Sequence, residues 1–479
     1  MDVLKGLSPE RVFYYFEQIA RIPHGSGNTK AVSDYICAAG KELGLECRQD
    51  ELNNVILIKE ASAGYENAPA VMLQGHMDMV CEKESGVEHD FTKDPLNLRT
   101  EGDEIFAEGT TLGGDDGIAV AYMLALLEDK KLSHPRLECV ITVDEETGME
   151  GAEGIDLSGL EAKYLLNLDS EEEGIFLASC AGGLRFNLDL PVKRERCEGN
   201  CVCIRIDGLT GGHSGGEIHK GRANANVLLG RLLNSLAETV EFRLVSLEGG
   251  TKDNAITRSA KAVLKTRSDR QIIQKVKDLA ETYRREYALT DPQMEITAEA
   301  FMEEAEAMDR ESQKKVLFAL LEAPYGVQAM SNDVEGLVES SLNLGIMNTA
   351  ENSWHISYSI RSSVESRKEW LKQKLTHLAD FLGASHSETG DYPGWEFVRE
   401  SGLRNLMCQV FEEMYGKKPQ VEAIHAGLEC GLLLNKRPGM DAVSIGPDMK
   451  DIHTPQERLS ISSTARVYDF LKKVLERIH

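Results

Sequence analysis

The sequence predicts an α/β fold: a mixed, largely parallel sheet flanked by helices and carrying a large α+β insertion. Three observations lead there. Short apolar runs at 71–74, 139–143, 164–168 and 442–445 have the length and composition of buried strands. Helical patterns at 30–43 and 118–127 alternate with them. Between about 183 and 390 the strands instead alternate apolar and polar residues, as in sheets with one wet face.

Each element has a local reason. Ser8 and Pro9 open the first helix, with Ser as N-cap and Pro at the first helical position. Thr29 opens the second, and Gly44 is placed to stop it. Strands follow at 54–58 and 70–73. The loop Gly113-Gly114-Asp115-Asp116-Gly117 leads into 118–127, which is apolar on nearly all sides and reads as a buried helix. Strands at 139–143 and 164–168 complete the first part. The inserted segment has strands at 184–188 and 355–360. It also holds a faint repeat: strand, Arg-Ser and helix occur at 263–283 and again at 356–382. After about 391 the buried-strand pattern returns and ends in a loop carrying His453. The expected division is therefore 1–182 with 391–479 as one discontinuous domain, and 183–390 as an insertion of two related βα halves.

Size and charge limit the function. A chain of 479 residues is too long for one ordinary core, which fits two domains. The net charge of −26 disfavours nucleic acid and anionic membrane surfaces as partners. No signal-peptide pattern opens the chain, and no run of ~20 apolar residues exists to span a membrane. The ten cysteines sit mostly inside apolar runs, Cys37, Cys139 and Cys408 among them, as reduced core thiols do. Cys197, Cys201 and Cys203 lack paired metal-ligand spacing and read as strand thiols. The expectation is a cytoplasmic protein.

Five metal-type ligands are spread along the chain: His76, Asp115, Glu146, Asp169 and His453. Four of them follow an apolar strand, and Asp115 lies in the glycine loop before the buried helix. In open α/β sheets, sites form outside the carboxyl ends of the strands, so distant residues have a common place to meet. Two histidines and three carboxylates suit a pair of Zn²⁺ ions with one carboxylate bridging. Asp78, two residues beyond His76, is placed to accept the ring's other N–H and fix its orientation. Glu145 and Glu146 are adjacent and point differently, so one can ligate while the other serves as general base. Each motif alone has an ordinary reading: a surface polar pair, an Asp N-cap, a solvated acidic turn. The set carries the inference.

The order H-x-D, G-G-D-D-G, D-E-E-T-G, N-L-D and G-P…H-T-P-x-E resembles the di-zinc metallopeptidases and amidohydrolases, over the whole chain. Three segments are similar to the aminoacyl-histidine dipeptidases in particular: 74–80, 110–117 and Gly211-Gly212-His213-Ser214-Gly215-Gly216. So are 338–345 and Tyr392-Pro393-Gly394-Trp395. The resemblance implies a di-zinc exopeptidase-type catalytic domain with the insertion as lid. It implies that His76 and Asp169 hold one zinc, Glu146 and His453 the other, and Asp115 bridges, with Co²⁺ or Mn²⁺ as possible substitutes. It implies Asp78 orienting His76, Glu145 as general base and acid, and a cis Asp115-Asp116 peptide. His213 would stabilise the oxyanion, and Asn254 and Arg361 would hold the substrate. The implied reaction is hydrolysis of Xaa-His dipeptides, β-alanyl-histidine included. A deacylase of N-acyl-amino acids and a tripeptidase are the alternatives. The implied assembly is a homodimer through the lid, or a monomer if one half of the lid imitates a partner.

Overall fold

The computed structural model describes residues 2–479 and divides into two compact units. The first holds the chain up to Ser179, then Phe397–Ala423 and Leu428–His479. The second holds Cys180–Glu396 with Ile424–Gly427. The sequence put the return at 391. It comes later because Trp395 exchanges backbone hydrogen bonds with Cys180. Likewise, the Ala181 N–H lies 2.9 Å from the Ala426 carbonyl, which draws 424–427 into the second unit.

The first unit is built on an eight-stranded sheet. Its four middle strands run parallel in the order Leu137–Thr142, Val71–His76, Tyr164–Asn167, Asp441–Ser444. Val55–Lys59 runs antiparallel to Leu137–Thr142 and to Glu46–Gln49, and Ile175–Cys180 runs antiparallel to Asp441–Ser444. All six residues of Val71–His76 and all six of Leu137–Thr142 are buried, which explains their uninterrupted apolar runs. Against this sheet lies the helix Gly114–Glu128, also touched by the helices Glu10–Ala20 and Lys30–Glu42. Contact on several sides explains why it lacks a polar face. Ile118, Met123 and Leu126 have no exposed surface, and burying such a side chain contributes ~1.5–3 kcal/mol each.

Two local expectations need correction. The first helix starts at Glu10, so Pro9 and not Ser8 occupies the cap position, with an extended ψ of 123°. Thr29 does open the second helix, Lys30–Glu42, as expected, although its side chain makes no capping hydrogen bond. Cys37 is not a reduced thiol: it is bonded to Cys47, whose strand Glu46–Gln49 packs on the helix carrying Cys37. Gly44, at φ +75°, does follow the end of that helix. Cys201 and Cys203 lie on the strand Asn200–Asp207.

The second unit contains a nine-stranded antiparallel sheet with helices packed on it. One quartet runs Glu295–Phe301, Asn200–Asp207, Ala260–Thr266, Arg243–Gly249. The other runs Ser385–Tyr392, Gly182–Pro191, Ser353–Ser362, Val338–Thr349. In each, the third strand feeds a helix, Asp269–Glu286 or Glu365–Leu382, which leads to the outermost strand. The quartets meet where Glu248 and Gly249 pair with Asn348 and Met347. Its core, including Leu184, Phe186, Ile204 and Trp354, is separate from that of the first unit.

Candidate metal centre

The carboxyl ends of the parallel strands bring five side chains of the first unit together. His76 ends its strand, Asp169 lies just past Tyr164–Asn167, and Glu146 lies on a short helix after Leu137–Thr142. That helix follows a sharp turn at Asp144, which has a left-handed φ of +53°. His453 also takes a left-handed φ, +60°, in the loop after Asp441–Ser444.

Asp115 sits in the middle. Its Oδ1 is 3.2 Å from His76 Nε2 and its Oδ2 is 3.0 Å from His453 Nε2. Asp169 Oδ1 lies 3.6 Å from His76 Nε2, and Glu146 Oε1 lies 3.0 Å from His453 Nε2. The five therefore form two groups sharing one carboxylate. The peptide between Asp115 and Asp116 is cis. Glu145 offers an oxygen within 4.8 Å of ligand atoms on His76 and Glu146.

The surroundings of His76 are tightly specified. Its Nδ1 is 3.0 Å from the Asp78 carbonyl and 3.4 Å from the Asp78 carboxylate, so the backbone oxygen is the nearer acceptor. The Asp78 carboxylate is held in turn by the Ser26 hydroxyl at 2.8 Å and the Glu145 N–H at 3.2 Å. The His76 N–H donates to Asp116 Oδ2 at 3.2 Å. Gly75 permits this approach, since a Cβ there would run into that oxygen and into Ala119.

The electrostatics fit cations. Burial pushes Asp169 up to about 6 and raises Glu145 and Asp116 well above the usual carboxylate range, with neighbouring carboxylates adding to the effect. Asp115 is lowered despite its burial, by contacts with His453 and His76. Burial alone would lower His76, but Asp115, Asp169 and Asp78 raise it well above its ordinary value. The carboxylates of Asp115 and Glu146 beside its ring push His453 up to about 10. Glu146 Oε1 is buried, and its approach to His453 lacks hydrogen-bond alignment. Crowded buried carboxylates beside two imidazole nitrogens form an oxygen–nitrogen donor set suited to borderline divalent ions such as Zn²⁺.

Sequence reasoning missed two buried carboxylates. Glu429 accepts from Gln74 at 2.5 Å and Thr142 at 2.6 Å, and burial pushes it up to about 7. Glu457 accepts backbone N–H groups of the Asp115 loop. The signal for Glu457 was its place in the H-T-P-x-E motif; nothing marked Glu429.

The remaining expected residues lie in the second unit. His213 is on the short strand Gly212–His213, paired with Ala255–Ile256. The neighbouring Asn254 gives its carbonyl to the Ser214 N–H at 2.9 Å. Arg361 is on Ser353–Ser362 and donates to the Tyr392 hydroxyl at 3.3 Å, while its buried Nε has no hydrogen-bond partner among the described residues. His213 is lowered by burial and by Arg361. Burial and Arg361 also push His425 down to about 3, and its Nε2 lies 2.8 Å from the Ser341 hydroxyl. His425 was not anticipated.

Comparison with known proteins adds to this geometry. The sequence profile of Peptidase family M20/M25/M40 matches residues 72–477. The chain is 37% identical to the cytosol non-specific dipeptidase of Escherichia coli (strain K12), over 100% of this chain and 99% of that one. The crystal structure of aminoacylhistidine dipeptidase from Vibrio alginolyticus superposes with a TM-score of 0.93 at 37% identity, covering 99% and 98% of the two chains. Aminopeptidase PepT from Bacillus cereus ATCC 10987, at 16% identity and a TM-score of 0.58 over 98% and 99% of the chains, shares the fold. No helix of the described residues is long and apolar enough to cross a membrane.

Proposed function

The chain belongs to peptidase family M20/M25/M40, and on that premise we propose that it is a two-metal dipeptidase favouring Xaa-His substrates, β-alanyl-histidine among them. One observation carries the reading: Asp115 faces His76 with one oxygen and His453 with the other. In this reading His76 and Asp169 hold one Zn²⁺, Glu146 and His453 the second, and Asp115 bridges. Co²⁺ or Mn²⁺ could substitute. When bound, such a pair of ions acidifies a water and polarises the scissile carbonyl.

The chain's own residues do the rest. Glu145 takes the proton of the attacking water and later delivers it to the leaving amine. Its burial supports this role, because a raised carboxyl is matched to proton transfer near neutral pH. Asp78 holds His76 in one orientation. His213, in the second unit acting as a lid, stabilises the oxyanion, and Asn254 and Arg361 hold the substrate's backbone and carboxyl end. The orphaned Nε of Arg361 supports a role for that residue in binding an anion.

The proposed site of action is the cytoplasm. Association as a homodimer through the second unit follows from the resemblance. A second reading has support in the two like quartets of one chain, which form a continuous sheet without a partner, so that His213 serves its own subunit. Mixing His213→Ala with Glu145→Ala subunits separates these: restored turnover requires action across a dimer. Substrate class is tested with a panel of β-alanyl-histidine, glycyl-histidine, an N-acetyl-amino acid and a tripeptide. Preferential cleavage of the two dipeptides is expected, and preference for either of the others overturns the assignment.

A further inference from the structure

Two of the expected metal ligands, Asp115 and His453, lie on loops more than three hundred residues apart in sequence, and one side chain fastens those loops together. Glu457 follows His453 by four residues and is 3% exposed. Its backbone N–H closes a turn onto the Thr454 carbonyl at 3.1 Å. Its carboxylate receives four consecutive backbone N–H groups. Oε2 accepts from Leu112 at 2.7 Å and Gly113 at 3.2 Å. Oε1 accepts from Gly114 at 2.8 Å and Asp115 at 3.4 Å.

These donors converge because Gly113 has a left-handed φ of +68°, and because Asp115 (ψ 105°) and Asp116 (φ −120°) are non-helical, so the N–H groups from Leu112 to Asp115 lie ahead of the regular helical turns and have no helical partner. The fit is close: a Cβ on Gly114 would lie 3.1 Å from Glu457 Oε1. The carboxylate thus fixes the backbone from which Asp115 projects, relative to the loop that presents His453.

We propose that Glu457 is a positioning residue for the metal centre, setting the separation between Asp115 and His453 that the second ion requires. The inference rests on the two-metal reading above. The alternative is that Glu457 only caps a helix, in which case its loss would lower stability and leave metal affinity alone. Glu138 provides the comparison. It is a fully buried carboxylate that accepts the N–H groups of Glu161 and Ala162 and pairs with Arg136, away from any of the ligands.

The experiment uses the full chain, stripped of metal and titrated with Zn²⁺ against a competing chelator, with thermal unfolding of the metal-free forms in parallel. Glu457→Gln keeps the side chain's shape but turns an amide NH₂ toward two backbone donors. The expected result is a loss of ~10–100-fold in affinity for the second equivalent, the usual scale for partners that orient ligands. Glu138→Gln should lower the unfolding temperature and leave Zn²⁺ affinity as in the parent. If Glu457→Gln does not fold, Glu457→Asp, too short to reach all four donors, takes its place and should show a smaller loss of the same kind. Parent-like affinity in the folded Glu457 variant, or equal losses in both positions, overturns the proposal. A parent chain that binds no Zn²⁺ overturns the metal reading itself and this proposal with it.

Discussion

Asp78 meets the His76 ring twice: its carbonyl oxygen is 3.0 Å from Nδ1 and its carboxylate 3.4 Å from the same atom. Nδ1 therefore carries the proton, and Nε2 is left to face Asp115 and Asp169. Asp78→Asn keeps the carbonyl contact and removes the charge. Zn²⁺ affinity should fall by ~10–100-fold, as measured by chelator competition. An unchanged affinity would mean that the backbone carbonyl alone orients the ring.

Glu145 is assigned proton transfer and no ligation. Glu145→Gln should therefore bind the same number of Zn²⁺ ions as the parent and lose ~10²–10⁴-fold in kcat. Elemental analysis beside steady-state kinetics reads both quantities. Loss of a metal equivalent in this variant would move Glu145 into the ligand set.

The metal-free site holds protons that an ion must displace. His453 is pushed up to about 10, so its ring is protonated at pH 7 without metal, and the neighbouring carboxylates raise His76 in the same direction. Calorimetric Zn²⁺ titrations in buffers of different ionisation enthalpy should reveal proton release, and affinity should rise with pH. Stability of the metal-free form follows the same linkage. The folded value of His453 lies above its unfolded value of about 6.5. Its contribution is fully present below about pH 6.5 and fades as pH rises through about 10. His453→Ala should flatten the fall in unfolding temperature across that window.

Gly75 lets the strand Val71–His76 approach the helix Gly114–Glu128. Gly75→Ala drives a methyl group into Asp116 Oδ2 and the Ala119 methyl. Overpacking of this kind costs about 1–3 kcal/mol. Because Asp116 also receives the His76 N–H, Zn²⁺ affinity should fall along with stability. Denaturant unfolding of the metal-free protein and chelator competition measure the two effects separately.

Much of the candidate site was legible because the expected ligands sit mostly at strand ends, and buried parallel strands announce themselves as apolar runs. The helix after Asp115 was legible for a related reason, since contacts on several sides demanded an apolar sequence throughout. Edge strands were not: Ser385–Tyr392 is almost wholly exposed and carries no apolar alternation, and Glu46–Gln49 is polar apart from Cys47. The Cys37–Cys47 bond joins a helix to that unrecognised strand, so its geometry was invisible to spacing. Glu429 was silent for another reason, and Glu457 was marked only by its motif and not by its contacts. Their partners are backbone N–H groups or side chains hundreds of residues away, and no local composition encodes such a contact.

The most direct test of the central claim is hydrolysis of β-alanyl-histidine by metal-stripped protein as Zn²⁺ is added back. Activity should be absent without metal and should return as about two equivalents bind. Two bound equivalents without dipeptide cleavage, or cleavage that is complete without metal, would contradict the account.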